Sequence, residues 1–429
     1  MKCYGGVKVK KKLSAILSLI LVSTLIFALS GCSSSSSSSA SNSKEIVFWN
    51  PFTGPDGKNM QNMIDAYNKT NPDYKVKNIS LKEADMYAKI PTVVNSGKNI
   101  PDLTIVHAER IKQFVAQGML TPYDDYLSDF PEIKAENYIK AGWDIGDLDG
   151  KRYSIPLDVH SYVMYYNKKL VEKYAPHALD DNIVTFDEIR AAGEQSMKDG
   201  IRPITLSWMK PIFLSIYNQM GGDITSDGEK PTLYTDTAVK AMEFIKSLVD
   251  DKLTNKDGED ATQLFKSGKV IFEPEGIWMQ NTMNEVKNLD WGLTNFPQIS
   301  TDKVVNWSSS HQFVLFNSKA RDKKKTEGVV KFIDWVRQNS IYWAEAGQNP
   351  AALATLENDK YQSLPQSFLI KDPNEQKTLK IFDYKYNGYV ADEIDKIGFD
   401  SIFGKIKIED ALKKSQKTIE DKIAQDSHK

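Results

Sequence analysis

Residues 151–168, KRYSIPLDVHSYVMYYNK, decide the architecture of this chain. The first part, 152–157, reads as an extended run, because Pro156 has no amide hydrogen and biases Ile155 away from helix. A second extended run, 162–167, is rich in the aromatic and β-branched residues that suit a sheet. Between the two runs, Asp158, His160 and Ser161 place three hydrogen-bonding side chains within four residues. A chain that leaves one lobe as a strand and enters another as a strand puts such groups on the floor of a cleft. The bland alternative is a polar surface turn.

Outward from this stretch, the N-terminus stands apart from the fold. Lys8, Lys10, Lys11 and Lys12 precede an apolar run, 13–29, and then Leu29-Ser30-Gly31-Cys32. This is the pattern of a secretory signal, 1–31, with small residues before the cut. Leu-Ser-Gly-Cys directly after an apolar run resembles a bacterial lipobox, which implies a lipid on Cys32. A transmembrane anchor fits less well, since the run is short for a span and carries Ser14, Ser18, Ser23 and Thr24. Residues 32–44 are dominated by serine and read as a flexible tether.

The 429 residues are enough for two domains and a large core, and composition is ordinary, with 41% hydrophobic and 26% charged residues. Removing the signal takes away five lysines and leaves 50 basic against 57 acidic residues, which gives no electrostatic reason to expect nucleic acid as a partner. Cys3 leaves with the signal, so Cys32 remains alone and neither a disulfide nor a thiolate metal site is expected within one mature chain.

The body alternates strands and helices. Residues 45–49, EIVFW, form an apolar strand; a loop, 50–55, follows; Met60, Met63, Ile64 and Tyr67 then recur at helical spacing. Strands at 74–79 and 103–106 flank a helix at 83–94, with Pro91 as an expected kink. Such alternation implies a parallel or mixed sheet covered on both faces, with ligands beyond the carboxyl ends of strands. Those ends are Trp49-Asn50 and His107-Ala108-Glu109-Arg110. After the crossing the pattern restarts: a capping box at Thr185 and Glu188, strands at 203–206, 269–272 and 291–295, and a helix opening at 275–278. Residues 307–310 read as the approach to a strand, 311–316, that makes a second crossing, and 347–350 mark a third break. The tail carries an amphipathic helix at 406–423.

Sequence motifs for hydrolase, nucleotide or zinc-protease chemistry are missing, and the five histidines show no metal-ligand spacing. Residues 255–260, NKDGED, lack the full calcium-loop pattern and read as a solvated turn. What the chain offers instead is Trp49, Trp208, Trp278 and Trp307 beside strand ends or helix starts, with Tyr162, Tyr384 and Tyr386 as companions. An indole plate covers the apolar face of a sugar ring, and nearby Asp, Glu, Asn and His meet its hydroxyl rim. For any single tryptophan, core packing is the stronger reading. Trp143, Trp335 and Trp343 are assigned to packing.

Four segments in this order resemble one family over nearly the whole chain. They are Leu-Ser-Gly-Cys at 29–32; Ile100-Pro101-Asp102-Leu103 with Val106-His107-Ala108-Glu109-Arg110; Pro156-Leu157-Asp158 and His160 ahead of Tyr165-Tyr166-Asn167-Lys168; and 264–269, LFKSGK, ahead of Gly276-Ile277-Trp278. The family is the carbohydrate-binding extracellular solute-binding lipoproteins of ABC transporters, which includes maltodextrin-binding proteins. The resemblance implies an α/β fold of two lobes, of the type II periplasmic-binding-protein kind, closing on a sugar by hinge bending. It divides the chain into lobe 1, residues 45–157 and 311–348, and lobe 2, residues 158–310 and 349–429.

By position, Glu109 and Arg110 would bind hydroxyls from the first lobe, Trp278 would be the stacking plate, and Asn50, Phe52 and Thr53 would belong to the first cleft loop. Trp49, His107, Asp158, Tyr162, Trp208, Glu275, Trp307, His311 and Tyr384 complete the candidate ligand-binding set. Two departures bear on which sugar is bound. His160 stands where an acidic residue is usual, and 273–278 reads EPEGIW rather than the family's Gly-Pro-Trp. The expected function is capture of an oligosaccharide by a monomeric, lipid-anchored protein on the outer face of the cell membrane. Delivery to the permease follows, without cofactor, metal or bond-making step. The alternatives are a non-sugar solute on the same fold and an exported polysaccharide-degrading enzyme. A polyamine could use Asp158, Glu109 and Glu275. A phosphorylated polyol would find only Arg110 as a clear cationic partner.

Overall fold

The computed structural model describes residues 44–371 and 373–427. The signal segment, Cys32 and the serine run lie outside the described residues. Among the described residues, twelve strands build two six-stranded sheets. They are β1 (Glu45–Asn50), β2 (Lys75–Ser80), β3 (Leu103–His107), β4 (Leu120–Thr121), β5 (Ser154–Pro156) and β6 (His160–Asn167). Then come β7 (Arg202–Ile204), β8 (Val270–Gly276), β9 (Trp291–Thr294), β10 (Asn306–Ser309), β11 (His311–Phe316) and β12 (Leu379–Ile381). The first sheet runs β2-β1-β3-β11-β4, with β5 also on β11; the second runs β12-β10-β6-β8-β7, with β9 also on β6. Helices interleave with the strands throughout, which is the mixed two-lobe α/β class expected.

Each sheet has its own apolar core. Ile46 and Phe48 of β1 meet Met60, Ile64, Val329 and Phe332 from the helices Asp56–Lys69 and Lys323–Gln338. In the second, Ile271 and Phe272 of β8 meet Phe213, Met242 and Ile394. Each such side chain, fully buried, contributes about 1.5–3 kcal/mol by leaving water. The capping box at Thr185 is formed: its hydroxyl accepts from the Glu188 amide at 3.2 Å while the Glu188 carboxylate accepts from the Thr185 amide at 2.8 Å.

Two crossings position the site. The chain leaves β5, passes Leu157, Asp158 and Val159, and enters β6. It leaves β10, passes Ser310 alone, and enters β11. The crossings are stitched together: Ser310 Oγ donates to the Asp158 carbonyl at 2.5 Å, and Leu157 N–H donates to the His311 carbonyl at 2.8 Å. Register then places Ser309 opposite His160 and His311 opposite His107.

Four elements differ from the sequence reading. Residues 307–310 lead not through a loop but out of β10, a strand without an aliphatic run. Its polar side chains find buried partners: Asn306 Nδ2 donates to Asn295 at 2.6 Å and to Thr378 at 2.7 Å, and Ser308 pairs with Ser161 at 2.9 Å. β8 runs on to Gly276 rather than stopping at residue 272, because β7 ends at Ile204 and the missing amide hydrogen of Pro274 interrupts no ladder on that side. The helix Glu83–Ser96 runs two residues past its expected end and closes on Gly97, where φ is 67°. The tail holds two helices, Asn387–Ile402 and Ile408–Ser427. In the 255–260 turn, Glu259 is held by Arg202, and Asp260 caps the helix Ala261–Lys266.

Candidate functional site

At the floor where the crossings meet, Asp158 is fully buried and accepts four hydrogen bonds. Its Oδ1 takes His160 Nδ1 at 3.0 Å and the His311 amide at 3.0 Å; its Oδ2 takes His311 Nδ1 at 2.7 Å and Trp343 Nε1 at 2.7 Å. Burial alone would raise this carboxyl, but His311 and His160 outweigh it and hold Asp158 well below the usual range. Burial likewise lowers both imidazoles. At His311 the Asp158 carboxylate wins and its pKa is raised; at His160 burial and the neighbouring His311 win and it is lowered. His107 ends β3 beside them. Its Nδ1 lies 2.7 Å from the Tyr87 hydroxyl, and burial lowers its pKa to about 4.

Above this floor opens a cavity of about 340 Å³. His107, His160 and His311 line its base; Trp208 and Trp278, both half-buried, form its aromatic wall with rings 5.9 Å apart at 71°. Phe52, Asp56, Glu83 and Glu275 complete the polar and apolar lining. Glu83 and Trp208 also line a second cavity of about 1190 Å³, bordered by Tyr87, Arg110 and Tyr389. The two spaces thus have Glu83 and Trp208 in common, and the larger has room for more than one sugar-sized group.

Ion pairs join the sheets across the cleft. Glu109, in the turn after β3, contacts Lys210 at 3.1 Å and accepts from Ser309 Oγ at 2.8 Å. Burial works against both charges, but each holds the other: Glu109 lies well below its usual range and Lys210 above it. Arg110 makes a two-armed contact with Asp392, at 2.5 and 3.2 Å.

Of the residues singled out from sequence, the first cavity brings together Phe52, His107, His160, Trp208, Glu275, Trp278 and His311; Arg110 lines the larger one. Asp158 stands behind the histidines. Glu109 and Trp307 border a small neighbouring space. The remainder lie off these cavities. Asn50 is buried in a knot with Asn78, Ser80 and the Phe52 amide; Thr53 is exposed; Trp49 is buried with Lys89 over its ring. Tyr162 is fully buried and donates to the Pro274 carbonyl at 2.8 Å; Tyr384 packs in the second core. Sequence reasoning passed over Asp56, Glu83, Tyr87 and Lys210. The first three sit in helices that point into the cleft, where helical spacing alone marks only the face turned to the core.

Gly276 sets the plate. A Cβ there would stand 2.1 Å from the Trp278 indole, although the backbone, φ −75°, would accept alanine. Gly276→Ala is expected to force the ring aside, with a cost of about 1–2 kcal/mol, an altered tryptophan emission and unchanged far-ultraviolet circular dichroism. Unaltered emission would show that the plate does not depend on this close approach.

The model of the bacterial extracellular solute-binding protein family matches residues 53–341. The chain belongs to that family. The arabinooligosaccharide-binding protein of Bacillus subtilis is 27% identical over 238 residues. That match covers 54% of each chain, so this protein spans about half of that relative's length. The maltooligosaccharide ABC transporter solute-binding lipoprotein of Streptococcus pneumoniae is 22% identical over 79% of this chain and 80% of its own. Among solved structures, the maltose/maltodextrin-binding domain of Bdellovibrio bacteriovorus bound to maltotriose superposes with a TM-score of 0.75 at 20% identity, covering 89% of this chain and 100% of that one. The solute-binding fold of this chain is thereby established, and membership places it among extracytoplasmic binding proteins. No helix among the described residues is long and apolar enough to cross a membrane.

Proposed function

We propose that this solute-binding protein is the substrate-capturing component of an ABC transporter for a neutral oligosaccharide. The observation that carries the reading is the wall formed by Trp208 and Trp278 over a floor of hydrogen-bonding side chains, in a cavity that shares Glu83 and Trp208 with a larger one. Indole faces remove the apolar side of a sugar ring from water at little rotamer cost. Glu275, Arg110 and the imidazoles meet its hydroxyls. The names of the relatives point to the same ligand class.

In this reading the lobes are residues 45–157 with 311–348, and 158–310 with 349–429. Their sheets rotate about the crossings to enclose the guest. The closed form presents one surface to the permease subunits, the protein acts as a monomer, and a lipid on Cys32 tethers it to the outer face of the membrane. There is no bond-making step. A polyamine is disfavoured because Asp158 and Glu109, two of the three carboxylates it would need, are already occupied by His160, His311 and Lys210.

Calorimetric titration against a panel of α- and β-linked oligosaccharides tests the proposal. One member is expected to bind with micromolar affinity or better. Trp278→Ala is expected to weaken it by about 10–100-fold, the loss of one well-packed aromatic contact. Tight binding of a non-sugar solute with no response to any glycan would overturn it.

A further inference from the structure

The floor of the cavity has a feature that sugar recognition does not require. His107 ends β3, His311 begins β11 directly opposite it, and His160 begins β6 in the other sheet. One ring nitrogen from each lies within 4.8 Å of those of the other two, and all three residues are buried. The hydrogen bonds of all three rings are made through Nδ1: Asp158 holds those of His160 and His311, and Tyr87 holds that of His107. Nε2 of each makes no hydrogen bond and would be the coordinating atom. An ionised carboxylate on Nδ1–H is the arrangement that fixes tautomer and ring direction in metal-bound histidines and makes the outer nitrogen more basic. The charge of the lining agrees. Asp56, Glu83 and Glu275 face this cavity, and no lysine or arginine lines it.

We propose that His107, His160 and His311 form a three-nitrogen site for a divalent transition-metal cation of the zinc class, with its remaining position open to the 340 Å³ cavity. Three imidazoles, with His311 giving up its proton on binding, and no thiolate suit Zn²⁺, Co²⁺, Ni²⁺ or Cu²⁺ rather than Mg²⁺ or Ca²⁺, which take oxygen ligands. A tetrahedral site with metal–nitrogen distances of about 2.0–2.1 Å places its nitrogens roughly 3.3 Å apart. Nitrogens standing up to 4.8 Å apart would then draw together by as much as about 1.5 Å when the metal binds. The open position would accept an oxygen from water or from a guest in the cavity. The inference stands whether or not that guest is a glycan.

The test is titration of the tag-free protein, stripped with chelator, with Co²⁺ and then Zn²⁺. One equivalent of Co²⁺ is expected to bind with the intense visible absorption of a tetrahedral nitrogen site, and one equivalent of Zn²⁺ is expected to bleach it. His107→Gln and His311→Gln are expected to abolish the signal, while His177→Gln, on the exposed surface, leaves it unchanged. A cooperative thermal transition and parent-like far-ultraviolet circular dichroism in chelator show that the variants are folded, even where His311→Gln lowers the midpoint by giving up a donor to Asp158. Absence of stoichiometric binding, or binding that persists in both floor variants, overturns the proposal. No glycan enters this experiment, so its failure leaves the sugar reading intact, and failure of the glycan panel leaves this site intact.

Discussion

Asp158→Asn is expected to lower the unfolding free energy by about 3–5 kcal/mol, the cost of breaking a buried, fully engaged charge. The carboxylate's two oxygens accept four donors from three residues: two imidazoles, one indole and one main-chain amide. Asparagine supplies one oxygen. Whichever way its amide is turned, two donors lose their acceptor and meet an NH₂ group instead. The loss falls at the crossing where both sheets are joined, so no local rearrangement can shed it into solvent. Urea unfolding in chelator, followed by tryptophan emission, reads the change as a shift in midpoint. A shift equivalent to less than 1 kcal/mol would mean that Asp158 is not the keystone its contacts describe.

Glu273→Gln is expected to act in the opposite direction. Glu273 is fully buried on β8, where its Oε1 accepts from Thr262 at 2.9 Å while Oε2 has no partner. Burial, then the neighbouring Glu275, raises its pKa from 4.5 to about 8. The folded protein keeps this proton up to about pH 8, whereas the unfolded chain releases it above 4.5. The contribution to stability is therefore whole below pH 4.5 and is lost progressively as pH rises through about 8. At about 1.4 kcal/mol per pH unit, the parent forfeits roughly 3 kcal/mol at pH 7. Glutamine mimics the protonated acid and carries no such loss. The variant should gain that amount at pH 7 and converge with the parent near pH 4.5. Parallel stability curves across this range would show that Glu273 does not hold its proton.

The fold was legible because its deciding segments carry strong local signals. Pro156 and the aromatic run 162–167 announced the first crossing, and the apolar run 311–316 the second. β10 was not legible: Asn306 and Ser308 make a strand only because Asn295, Thr378 and Ser161 wait for them, and those partners lie far along the chain. The same reason hid the histidine cluster. Each of the three residues stood out singly, but spacing in the chain says nothing about nitrogens brought together by register between strands. Trp49 and Tyr384 sit near element ends, as the stacking residues do, and only packing separates the two kinds. Lys210 reads as an ordinary helix-start charge until Glu109 is seen facing it at 3.1 Å.

Ser310 is the lone residue between a strand of one sheet and a strand of the other, and the crossing beside it is bonded to the same spot. Such a junction works as a fulcrum, and displacement on rotation grows with distance from it. In the hinge motion proposed above, the contacts that join the lobes, Arg110 with Asp392 and Gln117 with Asp426, part as the jaws swing. The imidazoles sit almost on the axis and scarcely shift. A fluorescent label on the rim would therefore sweep a long arc on ligand uptake, while one beside His311 would stay nearly dark to the motion.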